Sequence, residues 1–241
     1  MHIAMGLVLR IIRKIIRGSK HVSGVFKSLW VCWLPYLERR PFEIRLFPKW
    51  LFTNFVGVPY KNGTPFFAFE AVDWLEKFLT KDMKVFEWGS GGSTMYLAKK
   101  VNALTTVEVS PQWHGRVSQV LEKNNIANCR YLLKVPKASN SPEYPSAKLE
   151  HKGLDFEDYC KVIDEYPDRY FDLVIVDGAV RPFCIRHAFK KIKKSGFLFL
   201  DDAEEKKHTN GIKELAGLEV RNFISPKFYT YRCHWVTIWK I

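Results

Sequence analysis

The chain has 241 residues, of which 47% are hydrophobic, enough for a core and too many for a wholly disordered polypeptide. Its 38 lysines and arginines outnumber its 25 acids, a formal net charge of +13, which favours anionic partners such as nucleic acid, acidic lipid or phosphorylated small molecules without choosing among them. No stretch approaches the roughly 18 consecutive apolar residues that cross a bilayer. Ile3 to Leu9, closed by Arg10 and lacking a basic lead-in, does not read as a cleaved secretory signal.

The charge is concentrated at the front, where residues 1–50 carry ten basic side chains against Glu38 and Glu43. Over residues 3–17 a helical period puts Arg10, Arg13, Lys14 and Arg17 on one stripe, with Leu7, Val8, Ile11, Ile12, Ile15 and Ile16 on the broad remainder. A basic stripe beside a wide apolar face suits a helix lying in an anionic membrane interface, and equally a helix packed on its own domain. Trp30, Trp33 and Tyr36 are then expected at headgroup depth, and Pro35, Pro41 and Pro48 predict irregular or short elements over 35–65. The five cysteines, Cys32, Cys129, Cys160, Cys184 and Cys233, form no CxxC pair. The expectation is reduced thiols in a cytoplasmic setting, with no disulfide framework and no zinc site.

From residue 66 the pattern becomes regular. Residues 66–80 place Phe67, Ala71, Trp74, Leu75 and Phe78 on one helical face. Val85 and Phe86 end a short strand, Gly89, Gly91 and Gly92 make a tight turn, and Thr94 to Lys100 start a helix. Such a turn lets backbone approach a ligand closely. A second strand over 105–110 ends near Glu108, an acid placed to accept hydrogen bonds from ribose hydroxyls. A dinucleotide fingerprint would need glycine where Thr94 stands.

With Glu87 two residues ahead of Gly89, these residues resemble motif I of the class I S-adenosylmethionine-dependent methyltransferases, an acid-x-Gly-x-Gly pattern, and Glu108 matches that family's acid after strand two. The resemblance implies S-adenosyl-L-methionine as cofactor, with Glu87, Gly89, Ser90, Gly91, Glu108 and Asp177 around it. It also implies a Rossmann-like, doubly wound α/β fold whose seven-stranded sheet has an antiparallel last strand. The domain would span 66–241, preceded by the basic amphipathic helical extension 1–65. No acid stands after the third strand (129–135), so adenine contacts stay unassigned. A fourth strand (170–178) is an almost unbroken apolar run, as a buried parallel strand requires. A helix over 181–196 ends at Gly196, a fifth strand runs 196–202, and residues 217–225 and 234–241 supply two more.

Asp177, Asp201 and Asp202 fall at strand ends, where open parallel sheets bind ligands. Asp177 and Asp201 are the candidate catalytic acids, and Asp202 is expected to cap a helix begun by Ala203, Glu204 and Glu205. All three together offer oxygen ligands for Mg²⁺, as in the catechol-type O-methyltransferases that they resemble. Those enzymes, however, carry a lysine where Val180 stands, with Arg181 one position on. His114, His151 and His187 are alternative general bases that no motif separates. Residues 136–170 read as a loop followed by a short helix with Tyr159 and Ile163 inward, either a substrate lid or a solvated connection.

The expected function is O-methylation of a small-molecule, sugar or lipid-linked acceptor by a cytoplasmic protein held peripherally at the inner face of a membrane. The alternatives are an RNA or DNA methyltransferase, a membrane-associated binding module of the same fold without turnover, and, least favoured, an oxidoreductase.

Overall fold

The computed structural model describes residues 20–55, 63–205, 208–209 and 212–241; the expected basic helix over 3–17 lies outside them. The chain divides into two units, Met1–Gly57 with Ser225–Cys233, and Val58–Ile224 with His234–Ile241. The boundary read from the sequence instead grouped 225–233 with the rest of 66–241.

In the first unit, α1 (Lys20–Ser28) runs through a π-helical turn (Leu29–Trp33) into α2 (Leu34–Arg39), a 3-10 turn (Pro41–Leu46) and α3 (Phe47–Phe55). The prolines open these elements rather than disrupting them. Pro35, Pro41 and Pro48 stand in first turns, where a missing N–H costs nothing. The unit's centre is aromatic: Trp33 meets Tyr36, Phe47 and Trp50 edge to face, with centroids 6.0, 5.1 and 5.4 Å away. Trp33 and Tyr36 are thus buried, against the expectation of headgroup depth, while Trp30 is 64% exposed. Trp50 Nε1 donates to the Thr230 carbonyl at 3.0 Å. Cys32 and Cys233 form a disulfide across 201 positions of sequence, Cα atoms 5.2 Å apart. The expectation of five reduced thiols is corrected here: so distant a pairing leaves no spacing signal, and only Cys129, Cys160 and Cys184 are free.

The second unit is built on a seven-stranded sheet. Its strands are β1 (Lys84–Trp88), β2 (Ala103–Glu108), β3 (Cys129–Leu133), β6 (Phe171–Val176), β7 (Ile192–Asp201), β8 (Glu219–Pro226) and β9 (Cys233–Lys240); β4 (Lys137–Ala138) and β5 (Leu154–Asp155) form a separate small ladder. The order is β3-β2-β1-β6-β7-β9-β8. β1, β2, β3, β6 and β7 run parallel and β9 antiparallel to β7. This is the expected doubly wound architecture.

Alternation along the strands divides the core in two, because neighbouring side chains on a strand point to opposite faces. Phe86, Trp88, Val174, Val176, Leu198 and Leu200 pack with residues of α7 (Glu157–Lys161) and α8 (Arg181–Ala188), among them Cys160, Cys184 and Ile185. Val85, Leu173, Ile175 and Phe199 pack on the opposite face with Ala71 and Leu75 of α4 (Phe69–Phe78) and Leu97 of α5 (Gly92–Ala98). Met95 of α5 packs with Val117 and Leu121 of α6 (Pro111–Lys123).

Two boundaries differ from the sequence reading. The helix expected over 181–196 stops at Ala188, and β7 already begins at Ile192. The Arg169 and Tyr170 N–H groups donate to the Lys190 and Lys191 carbonyls at 2.8 and 2.9 Å, drawing the chain into the sheet early. Gly196 is therefore not a helix stop. It sits in β7 near a register irregularity, where a Cβ would come within 2.9 Å of the Asp172 carbonyl oxygen. Nor does Asp202 cap a helix begun by Ala203, Glu204 and Glu205, since Ala203 and Glu204 form a turn and Glu205 has no helical conformation.

Candidate active site at the strand ends

The chain moves outward from β1 to β2 and β3, then returns to place β6 on the other side of β1. Helical connections diverge at that switch point and leave a crevice beyond the strand ends. The two loops bordering it touch backbone to backbone. Asp177 N–H donates to the Trp88 carbonyl and Gly89 N–H to the Val107 carbonyl, each at 2.9 Å. Glycine is required on both sides of this contact. Gly89 has φ +88°, and a Cβ there would lie 2.6 Å from the Asp177 carbonyl oxygen; one on Gly178 would lie 1.9 Å from the Tyr159 hydroxyl.

Glu108, at the end of β2, faces this crevice with both carboxylate oxygens engaged. Oε1 accepts from the Val109 and Ser110 N–H groups at 2.8 and 2.9 Å. Oε2 accepts from the Ser90 hydroxyl at 2.8 Å and its N–H at 3.3 Å. Trp113 Nε1 donates to the Ser90 carbonyl at 2.7 Å, fixing the loop from the α6 side. Gly89, Ser90, Glu108, Trp113 and Asp177 help to line a cleft of about 360 Å³, and Lys148 and His151 of the long 136–170 segment enter its wall.

Glu87 lies elsewhere. It is fully buried, and burial pushes its carboxyl up to about 7, with the Ser93, Thr94 and Thr106 hydroxyls pulling back the other way. The Thr94 hydroxyl donates to Glu87 Oε2 at 2.7 Å and accepts the Gly91 N–H at 3.0 Å. The Thr106 hydroxyl donates to the same oxygen at 2.8 Å. Glu87 therefore steadies the glycine turn from beneath and does not line the cleft.

On the other side, β6 and β7 end in acids gathered around one guanidinium. Arg181 Nη2 lies 3.1 Å from Asp177 Oδ1 and 3.2 Å from Asp202 Oδ2. Its Nε donates to the Gly178 carbonyl at 3.1 Å, and its Nη1 donates to the Asp201 carbonyl. Burial alone would lower the Arg181 pKa, but Asp177, Asp202 and Asp201 together raise it. Asp202, with φ +50°, also pairs with His234 Nδ1 at 3.1 Å. The Asp201 side chain is buried and lines neither this cleft nor its neighbour. That neighbour, of about 480 Å³, shares Lys148, Gly178, Ala179 and Arg181 with the first and adds Phe183, Arg186, Asp202 and His208.

Carboxylate oxygens of Asp177, Asp201 and Asp202 lie within 4.8 Å of one another, close enough for a divalent ion. The guanidinium already stands between two of them, however, and supplies the positive charge that such an ion would bring. With Arg181 in place the donor set does not fit Mg²⁺.

Of the residues singled out in the sequence, the fold gathers Gly89, Ser90, Glu108 and Asp177 around one cleft and puts Asp202 on the adjoining one. Glu87 and Asp201 lie behind these surfaces. The three histidines separate as well. His114 stacks on Tyr131 at 4.2 Å, His187 is held by Asp164 at 2.7 Å, and His151 reaches the cleft with Nδ1 3.0 Å from the Ser146 hydroxyl. Sequence reasoning missed Trp113, Lys148 and the bridging part played by Arg181. For Arg181 a signal existed: it stands four residues after Asp177, across the short Gly178–Val180 bend.

No protein-family model and no curated protein matches the chain. Among solved structures, it is similar to a Streptococcus mutans protein assigned as a methyltransferase and crystallised in complex with SAH, at 16% identity and a TM-score of 0.50, over 71% of this chain and 96% of that one. A precorrin 8w decarboxylase of Methanobacterium thermoautotrophicum is similar at 15% identity and TM-score 0.50, over 72% and 90% of the two chains. TrmN of Thermus thermophilus is similar at 10% and 0.50, over 71% and 47%. At identities this low the likeness is one of fold: the chain shares the α/β fold of these structures, a Streptococcus mutans protein crystallised with SAH among them.

Proposed function

We propose that this protein transfers a methyl group from S-adenosylmethionine to oxygen on a small-molecule, sugar or lipid-linked acceptor. The observation that carries this reading is the pair of adjoining clefts: one at the switch point with Glu108 on its wall, the other beyond Gly178 and Arg181. A ribose diol offers two O–H donors, and Glu108 Oε2 now receives two donors from Ser90. Exchange of one set for the other would place the nucleoside against the Gly89 turn. The bound sulfonium supplies an already activated methyl group. What remains for the chain is to align the acceptor and receive its proton.

Asp177, paired with Arg181, is suited to positioning. Imidazole is the side chain best matched to taking a proton near neutrality, and His151 and His208 each line one of the two clefts. Calorimetry with S-adenosylhomocysteine tests the assignment. Glu108→Ala should weaken binding by roughly 1–3 kcal/mol, the worth of hydrogen bonds to a charged group. Equal affinity in the variant would remove Glu108 from the site, and no binding by the unaltered protein would remove the function.

The first unit supports a peripheral position on the inner face of a membrane. Of the large apolar side chains that stand exposed among the described residues, Trp30, Val31, Leu34, Phe42, Ile44 and Phe52 belong to it, and Lys27, Arg39, Arg45 and Lys49 are exposed beside them in sequence. Aromatic and aliphatic groups with interspersed cations match an anionic lipid interface. No helix among the described residues is long and apolar enough to cross a membrane. Trp30→Ser with Phe42→Ser should lower sedimentation with phosphatidylglycerol vesicles several-fold; unchanged sedimentation would count against this surface. The basic excess also fits nucleic acid, and methylation of RNA in place of small acceptors would favour that second reading.

A further inference from the structure

We infer that the second cleft holds an acceptor bearing a carboxylate or phosphate group, gripped by Arg186 and Lys148 beside an apolar floor; this deepens the methyltransferase reading and rests on the first cleft being the cofactor's. The decisive feature is which charges in the cleft are already committed. Its acids are engaged: Asp202 carries Arg181 at 3.2 Å and His234 at 3.1 Å, and Glu205 lies 3.5 Å from His208. Among the described residues no carboxylate pairs with Arg186. Its guanidinium lies over the Phe183 ring, 5.7 Å from the centroid, which steadies the side chain while leaving its N–H fork available. Among the described residues the acid paired with Lys148 is Glu150, at 3.8 Å, in a pair whose side chains are 68% and 71% exposed. So exposed a contact offers little competition to a ligand.

The loop presenting Lys148 is itself anchored. The Asp155 carboxylate accepts the Glu143 N–H at 2.7 Å and the Tyr144 N–H at 3.3 Å, and the Lys148 N–H donates to the Ser146 hydroxyl at 3.2 Å. Ala147, Ala179, Val180 and Phe183 contribute the apolar part of the same lining. A ligand complementary to it has an apolar or aromatic body and an anionic tip. Because Lys148 lines both clefts, a tip bound there stays close to the cofactor side. Arg186 lines only the second, so its loss separates acceptor binding from cofactor binding.

Ligand-detected NMR titrations of the full chain, with and without saturating S-adenosylhomocysteine, provide the test, using phenyl phosphate, benzoate and benzyl alcohol as probes. Both anions should bind at least about tenfold more tightly than the uncharged alcohol, as charge-assisted hydrogen bonds require, and the ratio of phosphate to carboxylate identifies the preferred tip. Arg186→Glu should erase that preference and Arg186→Gln should reduce it, each with S-adenosylhomocysteine affinity kept within about twofold, since this exposed side chain stands outside the first cleft. Equal binding of the three probes, or anion binding untouched by Arg186→Glu, would overturn the inference. Failure of S-adenosylhomocysteine to bind would instead sink the methyltransferase reading, while the probe ratios measured without it would still decide the sign of the cleft.

Discussion

The two sides of the strand-end crevice are held in place by different physics. The β1 and β2 ends rely on hydrogen bonds. Glu108 receives four donors from its own loop and from Ser90, and Glu87 receives the Thr94 and Thr106 hydroxyls. No cation takes part in those contacts. The β6 and β7 ends are tied by Arg181, whose guanidinium pairs with two carboxylates and donates to two carbonyls. Three backbone N–H groups and one hydroxyl hold the Glu108 carboxylate in a single orientation. At the other rim a single cation holds two loops together.

The sharpest way to break that contrast is Arg181→Met. The substitution keeps much of the aliphatic stem but withdraws the partner of Asp177 and Asp202 and the donors to Gly178 and Asp201. Removing one side of a buried ion pair typically costs about 3–5 kcal/mol, and urea unfolding near pH 7 should register a loss at or below that range, since Asp177 and Asp202 keep 24% and 29% side-chain exposure. With the guanidinium gone, the carboxylates of Asp177, Asp201 and Asp202 should for the first time take up Mg²⁺, so millimolar Mg²⁺ should raise the melting temperature of the variant and leave the parent unchanged. A parent stabilised equally by Mg²⁺ would show that Arg181 is not the cation of this cluster.

The contrast also explains what could be read in advance. The sheet was legible because its central strands are apolar runs of the right length, and the 170–178 run and the Gly89 turn stand out against any background. Glu108 was legible because its place at a strand end is a property of local sequence. The Arg181 cluster was not, because its meaning lies in tertiary proximity: Arg181 gains its importance only when the ends of β6 and β7 are side by side. Asp202 looked like a helix cap from its neighbours and is an ion-pair partner instead. In the first unit, a regular 3.6-residue period puts Trp30 and Trp33 on one side, but the π-helical turn over Leu29–Trp33 changes the angular step. Trp33 turns inward and Trp30 outward. The Cys32–Cys233 bond has no local signature at all.

The smaller and more diagnostic effect belongs to Glu87. Its carboxyl titrates at about 7 in the folded chain against an ordinary 4.5, burial being the dominant cause. Between those two values the native state holds a proton that the unfolded chain has released, so stability is greatest below about 4.5 and declines as pH rises toward 7 and just above. The whole decline is bounded by roughly 3.5 kcal/mol, because a tenfold change in proton affinity is worth about 1.4 kcal/mol. Glu87→Gln keeps the shape without the titration, so its unfolding free energy should lose this slope between pH 5 and 7.5, while Glu108→Gln should retain it. If both variants kept the same slope as the parent, Glu87 would not be the buried acid on which the glycine turn rests. A slope abolished in Glu87→Gln alone would instead tie the turn's pH sensitivity to one carboxyl that lies under the strand-end cleft without entering it.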